Sequence, residues 1–274
     1  MNLVRRTLRL ALLAAPVALA PARSALAQIV VTSANVEERE ARPRETWSGI
    51  IRLRNTTGAP QEARVYLADY AFQADGTARY PDPGTAPRSS ARWTTVSPGH
   101  LTVPANGEAT VAYTVAVPAQ PALAGTYWSM VMIQAVSPGD PASAAARNAR
   151  VQVGVRPTIR YGVQLATTLA GTGAAKAAFA SPRAEPAAGG HRSLSVDVLN
   201  DGTLAYRPKV RLELFDAAGN PVGRWEAVRG LLYPGTSLRQ AFDLGALPAG
   251  AYQALVVADA GGDSVFGARY RLSL

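Results

Sequence analysis

The sequence predicts an all-β protein of two Ig-like β-sandwich domains in series. Three observations predict it. Sustained helical periodicity is absent. Short β-rich runs are punctuated by turn residues at the spacing of a sandwich. The second half repeats the first in pattern: LSVDVLN (Leu194–Asn200) stops at an Asp-Gly-Thr turn much as IIRLRN (Ile50–Asn55) stops at Thr-Thr-Gly. Likewise Pro-Ala-Gly-Ala-Tyr at 248–252 matches Leu-Ala-Gly-Thr-Tyr at 123–127.

The chain opens with Arg5, Arg6 and Arg9, then an apolar run from Leu10 to Ala20, then Ala25-Leu26-Ala27. A basic front, an apolar core and a small-residue cleavage site make residues 1–27 a secretory signal peptide. The run is short for a membrane anchor and contains Pro16. Residues 28–163 are expected to form the N-terminal sandwich and 164–274 the C-terminal one.

Within the first, the expected strands are Ile29–Val36, Trp47–Asn55, Ala63–Phe72, Trp93–Val96, Leu101–Val103, Ala109–Val117 and Gly125–Val136. YPDPGTAPRSS (Tyr80–Ser90) is too rich in Pro and Gly to pair regularly. After the loop Ser137–Asn148, apolar, Pro or Thr side chains fill every odd position from Val151 to Leu169. That alternation reads as one long strand, or two collinear ones, with one apolar face. Ala170–Gly190 is mostly Ala, Gly and Pro with one weak strand, Lys176–Ala180. In the second half the strands are Leu194–Asn200, Lys209–Asp216, Pro221–Val228, Ser237–Leu244, Gln253–Asp259 and Ala268–Leu274.

The formal charge is +9; the leader holds four Arg and no acid, so 9 − 4 leaves +5, spread along the chain. No basic run of the kind that tracks nucleic acid is present. With no Cys and only His100 and His191, thiol catalysis, disulfides and a His-based metal site are not expected. No Gly-x-Ser-x-Gly elbow, P-loop or His-Glu-x-x-His occurs. Asp69, Asp75 and Asp82 lie close together in sequence; Asp75 and Asp82 sit beside Gly or Pro, where Asp serves turns, Asp69 lies within a strand, and the group reads as turn and surface residues rather than as a Ca²⁺ or acid/base cluster. Trp47, Trp93, Trp128 and Trp225 read as core rather than as a sugar-stacking platform. The expectation is therefore no enzyme, no cofactor and no metal.

The order of features resembles the PapD-like periplasmic chaperones of pilus assembly. The pieces are IIRLRN, the following ARVYLADY, then Trp93 with TTVSPGHLTVPANGEATVAYTV, GTYWSMVMIQAVSP, the loop Ser137–Asn148 and the alternating strand from Val151. The resemblance covers about residues 29–163. It implies a periplasmic protein that lends its seventh strand to a secreted or pilin-like subunit, with an outer-membrane usher as a further partner. Val151, Val153 and Val155 match the donor side chains; whether they are donated or face their own core is left open by the sequence. The family also holds the client's terminal carboxylate with two basic residues. Arg160 matches one, with Arg in place of the usual Lys, and Arg39 the other, with Arg42 and Arg44 as rivals. Pro157 and the Tyr161-Gly162-Val163 that follows Arg160 depart from the family pattern. The alternative is a structural or adhesive Ig-like envelope protein that binds glycan or another envelope protein, at the Tyr80–Ser90 loop.

Overall fold

A computed structural model describes residues 29–136, 159–228 and 230–274. The leader and the donor positions Val151, Val153 and Val155 lie outside the described residues. No helix among the described residues is long and apolar enough to cross a membrane.

The first unit contributes β1 (Ile29–Val31), β2 (Val36–Ala41), β3 (Thr46–Asn55), β4 (Gln61–Ala68), the small hairpin β5 (Ala71–Phe72) and β6 (Ala78–Arg79), β7 (Thr94–Ser97), β8 (His100–Val103), β9 (Glu108–Ala116), β10 (Thr126–Val136) and β11 (Arg160–Leu169). They form one sheet in the order β1-β3-β9-β7 and a second in the order β2-β11-β10-β4-β8. The second unit contributes β12 (Ala177–Pro186), β13 (Arg192–Asn200), β14 (Lys209–Asp216), β15 (Pro221–Glu226), β16 (Ser237–Gly245), β17 (Ala251–Asp259) and β18 (Val265–Ser273). Its sheets run β12-β13-β16 and β15-β14-β17-β18. The molecule is thus all-β, two sandwiches in series. The weak strand foreseen at Lys176–Ala180 extends to Pro186, with a register shift between Ala180 and Arg183.

Alternation builds both cores. In β9, Val111, Tyr113 and Val115 point inward and are buried, while Thr110, Ala112 and Thr114 face the other way. In β11 the odd positions Val163, Leu165, Thr167 and Leu169 are buried, and Tyr161 packs partly against the same core. The repeat between halves also holds at single residues. Asn55, fully buried at the end of β3, donates to the carbonyls of Ala59 (2.7 Å) and Pro104 (3.0 Å) and accepts from Thr57 N–H. Asn200, at the end of β13, donates to Leu204 and Leu232 carbonyls and accepts from Gly202 N–H. Each closes the turn that follows its strand.

The expected division after Val163 falls inside β11, whose register with β10 runs unbroken from Arg160↔Gln134 to Thr168↔Thr126. Across the seam between units, Thr126 N–H donates to Thr203 O (2.8 Å) and Ala205 N–H to Thr126 Oγ1 (2.9 Å). Gly125 sits there at φ 77°, and a Cβ would collide with the Thr203 carbonyl. Gly125→Ala is expected to cost about 2–4 kcal/mol, from the left-handed backbone and the forced separation of the seam. Its urea midpoint set against wild type checks this; a loss below about 1 kcal/mol would contradict it.

Tyr206 seals the start of the second core, donating its hydroxyl to the Lys176 carbonyl at 2.9 Å. Burial pushes its phenol up to about 12 from the ordinary 10. A raised folded value means the stability is intact below about pH 10 and is lost as pH rises from about 10 toward about 12, because the unfolded chain ionises first. Urea midpoints between about pH 9 and 11.5 are expected to fall less steeply in Tyr206→Phe than in wild type.

Candidate functional site

The site is organised by β11. Its inner neighbour β10 pairs along its length. Its outer neighbour β2 runs parallel and covers only Gln164–Leu169, with Gln164↔Val36 as the first pair and a further bond from Gln164 N–H to Asn35 O. The outer edge of Arg160–Val163 therefore has no strand partner among the described residues. Chain direction causes this. After β1 the chain bends over residues 32–35 and crosses from one sheet to the other, so β2 starts only at Val36.

The two basic residues singled out by sequence are not brought together. Arg160 pairs with Gln134 and lies on the outer face of its sheet, while Arg39 pairs with Thr167, in the opposite phase of β11. Seven residues of strand separate the two positions, roughly 23 Å at about 3.3 Å per residue. Arg39 is exposed, within electrostatic reach of Tyr113 on β9. Burial there raises the Tyr113 phenol; Glu37 adds to the rise and the Arg39 charge opposes it. Arg42 and Arg44 are exposed at the turn after β2.

The outer face carries residues that sequence reading missed. His100, Arg64, Gln134 and Arg160 form one row across β8, β4, β10 and β11. The next row but one is Tyr66, Met132 and Gly162. Met130 occupies the space that a Cβ on Gly162 would take, so glycine here lets a methionine lie flat on the sheet. Arg64 stacks over the Tyr66 ring at 5.1 Å.

Residues 80–83 wall this face, and Asp69 holds the segment. Asp69 is 1% exposed, a correction to its reading as a surface residue. Its carboxylate accepts from the backbone of Gly84 (3.2 Å), Thr85 (2.9 Å) and Ala86 (2.7 Å), and from the Ser89 hydroxyl. The alternation Ala63, Val65, Leu67, Asp69 is the signal that places it on the inward phase. Asp75 does serve a turn, accepting from Thr77 N–H. Among the described residues no group of three His, Cys, Asp or Glu is placed to hold a metal.

Behind β11 the two units meet. Trp128 stacks on Tyr233 with centroids 4.6 Å apart, and donates its indole N–H to Tyr70 O. Tyr233, fully buried, donates to Gln164 Oε1 at 2.8 Å, and burial raises its phenol. Arg207 pairs with Glu38. A cleft of about 500 Å³ lies beside this contact, between Val36, Tyr70, Phe72, Gln164, Arg207 and Leu231.

No protein-family model matches the chain, and no curated protein does. Solved structures do, and fimbrial chaperones recur among them. One is a chaperone–tip adhesin complex of CFA/I fimbriae biogenesis, at 12% identity over 89% of this chain and 98% of that one, TM-score 0.46. Another is the YadV chaperone, at 15% identity over 90% of this chain and 100% of that one, TM-score 0.43. A third is the SafA pilin with the SafB chaperone of Salmonella enterica, at 13% identity over 92% and 99%, TM-score 0.41.

Proposed function

We propose that the chain is a periplasmic, non-enzymatic chaperone-like protein that binds secreted or pilin-type subunits by β-strand addition. The observation that carries this is the half-covered edge of β11. The backbone donors and acceptors of Arg160 and Gly162 face outward there, in phase with Gln164 whose N–H bonds to Asn35 O, while those of Tyr161 and Val163 turn toward β10. Such an edge is what an incoming strand pairs with, and a protein that does not use one covers it. The leader supports export. Val151, Val153 and Val155 are the proposed donor side chains by sequence, on the chain just upstream, and an usher belongs to the same reading as a further partner. Arg160 and Arg39 lie too far apart to clamp one carboxylate, so backbone pairing is the basis of the reading. The division between units is proposed at the turn beginning at Ala170.

Amide hydrogen exchange tests it, on the exported chain purified with and without a co-expressed secreted subunit. The outward amides of Arg160 and Gly162 are expected to gain at least about tenfold protection with the subunit bound, while the paired 164–169 stay as they were. A chain that purifies alone, with no change at the amides of Arg160 and Gly162, would overturn the reading.

A further inference from the structure

The outer face of the β10/β11 sheet carries a second feature, built from side chains rather than backbone edge. Its pocket, about 420 Å³, is lined by Arg64, Tyr66, Tyr80, Asp82, Met132 and Arg160 among others. Arg64 and Arg160 are the direct register partners of Gln134 on either side, so they stand about 10 Å apart at the strand spacing of about 4.8 Å. Among the described residues neither guanidinium pairs with a carboxylate. Two cations facing one pocket without a carboxylate partner among the described residues favour an anion between them. The wall is preformed: Tyr80 stacks on Tyr70 at 5.5 Å and stays 52% exposed, on a segment whose next residue, Pro81, accepts from Asp69 N–H.

We propose that this pocket binds an acidic sugar, a hexuronate unit. The guanidiniums, that of Arg64 steadied on the Tyr66 ring, take its carboxylate, Asp82 accepts from its hydroxyls, and the exposed ring of Tyr80 meets its C–H face. Cations, a carboxylate and phenols around one apolar floor suit a hydroxyl-rich anion better than the apolar end of a peptide. The site shares Arg160 with the open edge of β11 but uses its side chain on the sheet face, whereas strand addition uses the backbone.

Isothermal titration of the full exported chain tests it with three probes: a galacturonate trimer, a neutral galactose trimer, and an octapeptide with a free terminal carboxylate. The expected result is binding of the galacturonate trimer alone, weakened at least about tenfold by Arg64→Gln and by Arg160→Gln. Arg54→Gln, on the other sheet, should leave it unchanged. Equal binding of the neutral trimer, binding of the peptide in place of the uronate, no uronate binding, or indifference to both arginine variants would each overturn the proposal. Protection of the Arg160 and Gly162 amides by a subunit would survive in Arg64→Gln, which separates this failure from that of the chaperone reading.

Discussion

Asp69→Ala is expected to destabilise the first sandwich by about 3–5 kcal/mol. Three backbone N–H groups and one hydroxyl lose their acceptor in a buried place, at roughly 1–3 kcal/mol each before water recovers part of the loss. At about 2–4 °C per kcal/mol for a protein of this size, the melting temperature should fall by roughly 10 °C. Asp69→Asn keeps one acceptor oxygen and should recover about half. Calorimetry on the three proteins checks the order. A loss under about 1 kcal/mol in Asp69→Ala would mean that the 80–90 segment is held by its prolines and not by this carboxylate.

Trp128→Ala is the second large effect, at about 3–5 kcal/mol for a buried aromatic truncated to a methyl. Its distinctive consequence is loss of coupling between units. The indole stacks on Tyr233 and bonds to Tyr70 O, so it joins the β10 sheet to the second sandwich. Wild type should melt in one transition and Trp128→Ala in two. A double-mutant cycle with Tyr233→Ala should return a coupling of about 1 kcal/mol or more. Additive losses and a single transition in every variant would show that the backbone bonds from Thr126 to Thr203 and Ala205 suffice to hold the seam.

Strand alternation makes most of the fold legible. The odd positions of 161–169 read inward and are inward, and the Asn that ends β3 and β13 marks the same turn in both halves. What one sequence does not display is lateral register. Arg64 and Arg160 are 96 positions apart in the chain, and only the pairing of both with Gln134 makes them neighbours. Spacing along the chain likewise allows Arg39 to join Arg160, and the parallel start of β2 at Gln164 separates them. Trp128 reads correctly as packed, but whether its partner belongs to the same unit or the next is a tertiary fact. Asp69 takes on the turn chemistry of its neighbours when the residues are read as a group, although its own phase points inward.

The parallel pairing of Val36 with Gln164 spans 128 positions of chain. A chain that emerges N-terminus first exposes β2 long before β11 exists. Closing so long a loop is entropically costly, and contacts of such range slow folding. The first sandwich therefore cannot complete its second sheet until residue 169 is clear of the ribosome or the export channel. Its assembly is late although its sequence comes early.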